Sequence, residues 1–121
     1  MKPVLITTKG INSLLSNKDM ELNNIFIYNI INRPELFDTL IEVDESIDFK
    51  GKVINELSES IINKALHNIY KLPQNTPVII AFLNSSLNPL HEIIMKNLLQ
   101  TAGYTAIHLS HEIDDWENIL N

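Results

Sequence analysis

Apolar residues in this chain fall into two alternating patterns: short unbroken runs, and stretches with an apolar residue at every third or fourth position. PVLITT (3–8), IFIYNII (25–31), VIIAFL (78–83) and YTAIHL (104–109) are the unbroken runs. IFIYNII and VIIAFL are continuously apolar, as strands covered on both faces are, and with PVLITT and YTAIHL they predict four strands. Asn29 is the polar member of the second run and would need an internal partner there. The periodic pattern is strongest from Lys52 to Leu72, where Ile54, Leu57, Ile61, Ala65 and Ile69 make a helical stripe that Ile62 and Leu66 widen. A second helix follows NSSLNP, with Asn88 as N-cap, Pro89 in the first turn, Leu90, Ile94, Leu98 and Ala102 on one face, and Gly103 at its stop. Shorter stripes, Ile11 with Leu14 and Leu15, and Leu36 and Phe37 with Leu40 and Ile41, predict two brief helices. Lys9-Gly10, Asn32-Arg33-Pro34 and LPQNTP are breaks, and DESIDFKG (44–51) reads as an exposed loop. The C-terminal HLSHEIDDWENILN reads as a last helix capped by Ser110, with Glu112 and Asp114 in its acidic first turn and Ile113, Trp116 and Leu120 facing inward.

The resulting order, β-α-β-α-α-β-α-β-α, implies a small three-layer α/β/α domain with a mainly parallel four-stranded sheet, a single domain over 1–121. Ligands of such sheets bind outside the carboxyl ends of the strands. That rule selects the loops after each run, and with them Thr8, Lys9, Arg33, Ser85, Ser86 and His111 as candidate ligand residues, for a nucleotide or another anion. TTKG and NSSLN place hydroxyls and backbone N–H groups near helix starts, where anions bind. Neither GxxxxGK[ST] nor GxGxxG occurs, however, and capping accounts for the same residues. A hydrolase would recruit Ser85 or Ser86, His111 as base and Glu112 or Asp114 as orienting acid, but LNSSLN lacks the small neighbours of a nucleophile elbow. HEIIM (91–95) has Met95 where a zincin has its second histidine, and His108, in a strand, is not set against His111 by helical geometry. No metal and no cofactor is expected.

Composition narrows the function classes further. The 121 residues carry a formal charge of −6, with Arg33 the single arginine, so a phosphate backbone is repelled. The absence of cysteine excludes disulfides and thiolate chemistry and fits a reducing compartment. No run has the length of a membrane span, and a soluble cytoplasmic protein is expected. Carboxylates concentrate in residues 34–48 and near the C-terminus. Asp44, Glu45, Asp48, Glu112, Asp114, Asp115 and Trp116 would form an acidic face for a basic protein partner, charge supplying the encounter rate and an aromatic the anchor. No motif is specific enough to assign a family. The expectation is a non-enzymatic binding module of the immunity-protein, antitoxin, adaptor or complex-subunit type. The alternative is a ligand-binding, possibly enzymatic, domain using the strand-end edge. A subunit that assembles with itself through IFIYNII is a third option.

Overall fold

A computed structural model describes residues 2–11 and 22–113. Four parallel strands form the sheet: β1 (Val4–Thr8), β2 (Thr39–Val43), β5 (Val78–Ala81) and β6 (Ile107–Leu109), in the order β2-β1-β5-β6. Between them run helix α1 (Leu22–Ile31), a 3₁₀ turn (Pro34–Leu36), strands β3 (Ser46–Ile47) and β4 (Val53–Asn55), helix α2 (Glu59–Ile69) and helix α3 (Leu90–Thr101). A second 3₁₀ turn, Ser110–Glu112, follows β6. The expected α/β architecture with a mainly parallel sheet is the observed one.

β1 and β5 lie side by side at the centre, which is why VLITT and VIIA are buried at every position. Val4, Ile6, Val78, Ile80 and Phe82 meet Ala65, Leu66 and Ile69 of α2 and Met95 and Leu99 of α3 on one face. Leu5, Ile79, Ala81 and Leu83 meet Ile27 and Ile30 of α1 on the other. The chain leaves β1 toward β2 and later returns to the far side of β1 as β5. Right-handed crossovers in opposite directions need their helices on opposite faces, and α1 is accordingly across the sheet from α2 and α3.

The second strand is not where the unbroken run put it. Residues 25–31 form α1, and the sheet's β2 comes from the stretch read as a helical stripe around Leu40 and Ile41. Burial explains the exchange: Asn24, Ile27 and Ile30 are buried at helical spacing, while Ile25, Tyr28 and Asn29 face out. The run is apolar all round yet only one stripe is covered, so Asn29 needs no internal partner. The loop expected at 44–51 and the helix expected from Lys52 also change. Ser46–Ile47 and Val53–Asn55 pair as an antiparallel hairpin, with Asp48 Oδ1 accepting from the N–H groups of Lys50 and Lys52 at 2.9 Å each. The helix therefore begins at Glu59, where the Ser58 hydroxyl accepts from the Ile61 N–H. Helix α3 starts at Leu90 with Pro89, not Asn88, at the cap position; Asn88, one residue earlier, accepts from the Leu90 N–H, and Gly103 takes a φ of 99° beyond the helix end. The last helix, with Asp114, Asp115 and Trp116, lies outside the described residues beyond Ile113.

If α1 buries only its Asn24–Ile27–Ile30 stripe, Ile27→Ala should cost about 2 to 5 kcal/mol, as a fully buried aliphatic does, and Tyr28→Ala within about 0.5 kcal/mol. Urea unfolding of the two variants checks this, and equal large losses would return the segment to a two-faced strand.

Candidate functional site at the carboxyl edge of the sheet

Polar residues at or just past the carboxyl ends of the four strands come together along one edge. Thr8, at the end of β1, donates from its hydroxyl to Glu45 Oε2 at 2.9 Å and accepts from the Leu83 N–H at 3.0 Å. Glu45, just past β2, is 2% exposed, and its other oxygen meets His91 Nδ1 at 3.0 Å. Together they fill the point between β1 and β5 where the strand order reverses, the place such sheets commonly leave open for a ligand. Asn84 lines the same edge at a φ of 63°, a left-handed backbone that asparagine tolerates. It is held by reciprocal bonds with Asn24 of α1 and donates to the Ile47 carbonyl of the hairpin.

The second half of the network is centred on Glu92, in the first turn of α3 and fully buried. Oε2 accepts from the Phe82 N–H at 2.8 Å and from the Ser110 hydroxyl. Oε1 accepts from the His111 N–H at 3.3 Å and lies 2.7 Å from His111 Nδ1. As a carboxylate Glu92 only accepts, and Nδ1 of His111 then donates to it. The same reasoning orients the serines. Ser110 spends its proton on Glu92, so across the 3.0 Å contact Ser85 donates to Ser110, and Ser85 in turn accepts from Asn23 at 3.1 Å. Ser85 has no proton left for a base to remove in this arrangement. It is a link in a chain that runs from Asn23 to Glu92, not a nucleophile held by His111.

His111 forms the partly open end of this chain, with a side chain 15% exposed. The Glu92 hydrogen bond, with further help from the Glu92 and Glu112 charges, raises its pKa above the ordinary imidazole value, against burial and Lys96, which lower it. Its Nε2 lies 3.6 Å from the exposed Glu112 carboxylate.

Of the residues chosen from sequence, Thr8, Ser85 and His111 do belong to this cluster, and Ser86 lies exposed beside it. Arg33 does not. Because residues 25–31 are a helix, Arg33 follows the far end of α1, near the start of the sheet, where it pairs with Glu35 at 2.9 Å. Lys9 points into a separate groove of 670 Å³ along the outer strand β2, shared with Glu42, Asp44, Lys64 and Lys71. Of the acidic face, Asp44 is exposed, Asp48 half-buried in its turn and Glu112 exposed, but Glu45 is turned inward onto Thr8 and His91. Glu112 is not the acid that orients His111 from below; Glu92 is. Among the described residues no three His, Asp or Glu side chains are grouped to hold a metal ion. Sequence reading put Glu45 on the acidic face and weighed His91 only as a zinc ligand, and it missed Glu92 and the Asn23 and Asn24 pair. HEIIM was weighed only as a failed zinc motif, although an adjacent His-Glu in the first turn after a buried strand lies at the edge where ligands gather.

Comparison with known proteins gives these residues a context. A family model described as the hydantoinase/oxoprolinase N-terminal region matches residues 1–103. The chain belongs to the hydantoinase/oxoprolinase N-terminal family. A 5-oxoprolinase of Saccharomyces cerevisiae is 29% identical over 135 residues, which is 89% of this chain and 10% of that protein. An uncharacterised protein of Methanocaldococcus jannaschii is 31% identical over 127 residues, 96% of this chain and 18% of its own length. The chain thus spans less than a fifth of either relative. Among solved structures, the nucleotide-free form of acetone carboxylase, an ATP-dependent enzyme, superposes over 90% of this chain and 17% of its own with a TM-score of 0.53 and 19% identity, a likeness of fold. Membership in the hydantoinase/oxoprolinase family overturns the expectation of an immunity protein, antitoxin or adaptor, since the family takes its name from enzymes and the yeast relative is one. That expectation rested on acidity and on missing motifs, neither of which is specific. Among the described residues of this family member, no helix is long and apolar enough to cross a membrane.

The raised pKa of His111 gives a test of the site's geometry. A group whose folded pKa lies above its unfolded value contributes stability that is complete below the unfolded value, near 6.5, and is lost as pH rises through the folded one. Urea midpoints of the unaltered protein should therefore fall relative to those of His111→Gln as pH rises from 6.5 through that window. Parallel pH profiles would mean that Glu92 does not hold the imidazolium.

Proposed function

We propose that this chain is a module of a hydantoinase/oxoprolinase-type enzyme and that the carboxyl edge of its sheet binds a small polar ligand of that enzyme. The observation that carries the reading is the network of buried carboxylate and imidazole groups joining the ends of all four strands and reaching the surface at His111. Buried ionisable groups are costly, and a strand-end edge that gathers several of them is a candidate functional site. The ligand class follows from the family's named substrates: hydantoin and 5-oxoproline are both five-membered cyclic amides. A nucleotide is the second candidate, supported by the ATP dependence of acetone carboxylase, whose fold is similar. The remaining parts of such an enzyme then take the place of the basic protein partner, and the cysteine-free composition suits a cytoplasmic setting.

Amide spectra of the labelled protein titrated separately with 5-oxoproline, hydantoin and ATP check the reading. Saturable shifts at Asn84, Ser85, Ser110 and His111 are expected with at least one of them, and with a cyclic amide if the first ligand class is right. Silence at those amides with all three would remove the ligand role of this edge.

A further inference from the structure

The outer strand β2 has a neighbour in the sheet on one side only, β1. The Val43 carbonyl accepts from the Lys9 N–H at 2.8 Å, on the β1 side. Alternation along the strand therefore turns the backbone groups of Thr39, Ile41 and Val43 to β1 and those of Leu40 and Glu42 off the sheet. Among the described residues nothing pairs with these outward N–H and C=O groups. TLIEV also has neither the proline nor the bulge that commonly blunts an edge. Beside it, between β2 and α2, runs the groove of 670 Å³. Ile41, Ile61 and Leu72 give the groove an apolar floor, while Lys9, Lys64 and Lys71 stand exposed around it. Among the described residues none of these lysines is ion-paired, although Glu42 and Asp44 line the same groove. The groove thus has a positive balance in a chain whose net charge is −6.

We propose that β2 is a docking edge for an extended acidic segment of a partner polypeptide, which joins the sheet as a further strand. The outward groups of Leu40 and Glu42 supply main-chain hydrogen bonds to it, and the groove takes the side chains of its one face. Lys64 and Lys71 lie seven residues apart, about 10 Å along α2, and same-face strand positions four apart span about 13 Å, a difference that the lysine stems can close. The segment that fits therefore carries carboxylates at the first and fifth positions of that face and an apolar residue between them, over Ile41 and Ile61. Unpaired lysines call for the opposite charge, which speeds encounter and selects the partner. A small anion would answer the lysines and leave the strand edge unmatched. A second copy would match the edge but bring a net charge of −6 against −6. The inference does not depend on the reading of the carboxyl edge, which lies at the strand ends and not along β2.

The test titrates the labelled full chain at low salt with the blocked peptide Thr-Glu-Thr-Val-Thr-Glu-Thr, following amide shifts and hydrogen exchange. Its counterpart with lysine in place of glutamate, and free glutamate, serve as comparisons. The glutamate peptide should shift the amides of β2 and α2 saturably, slow exchange at Leu40 and Glu42 at least several-fold, and lose affinity as salt is added. The lysine peptide and free glutamate should do neither. Lys64→Glu combined with Lys71→Glu, both exposed, should weaken the glutamate peptide by about tenfold or more; should that variant not fold, the lysine peptide decides the charge dependence. Unchanged exchange at Leu40 and Glu42 with the glutamate peptide overturns the docking edge, as does equal binding of the two peptides its acidic partner. Matching shifts from free glutamate would make the groove a small-anion site. Protection of Leu40 and Glu42 that grows with protein concentration, without peptide, would assign the edge to a second copy. Either of these outcomes overturns the proposal.

Discussion

Glu92 is a carboxylate with no contact to solvent, and burying such a group is strongly unfavourable unless donors meet both of its oxygens. The donors come from two separate places in the chain: the N–H of Phe82 after β5, and, in the turn after β6, the hydroxyl of Ser110 with the N–H and ring of His111. None can move without leaving the carboxylate unsatisfied. The start of α3, the exit of β5 and the turn after β6 are therefore fixed relative to one another by a single side chain. The Ser85 and Asn23 bonds extend the same constraint across the sheet to α1.

The neighbouring cluster at the strand-order reversal obeys the same physics with a different result. Thr8, Glu45 and His91 satisfy one another, and the hairpin of β3 and β4 is laced over the edge by Asn84 and Asn88, which donate to the carbonyls of Ile47 and Gly51. The crevice that an open parallel sheet offers is filled there by the chain's own side chains. The partly open imidazole is displaced one strand along, to the end of β6. The rule about where sheets bind ligands selects this edge, while the local packing decides which strand end on it stays accessible.

Family membership and site geometry bear on different questions. The matched region places the chain among hydantoinase and oxoprolinase N-terminal regions, and the likeness to acetone carboxylase is one of fold. Both relatives are at least five times as long as the stretch this chain covers, and the yeast one is an enzyme. What this chain contributes is legible in its own atoms: an edge whose polar groups have fixed hydrogen-bond directions, with one imidazole at the rim.

The sequence by itself determined the fold class. The unbroken runs of β1 and β5 are accommodated where helices cover both sides of a sheet, and Asn88, Pro89 and Gly103 mark the boundaries of α3 through constraints that act over a few residues. The exchange of strand and helix between 25–31 and 39–43 was beyond it. IFIYNII is apolar at every period, and only the position of α1 over Leu5, Ile79 and Leu83 decides that Asn24, Ile27 and Ile30 face inward. That error carried Arg33 to the wrong end of the sheet. Thr8, Ser85 and His111 were found because strand-end loops can be read from local patterns. Glu45 and Glu92 were not, because a carboxylate in a polar stretch looks like surface until tertiary structure brings donors from distant segments to meet it. Whether an acidic residue is solvated or serves as an internal anchor is set by partners as much as 46 residues away, and no local pattern in the chain records that distance.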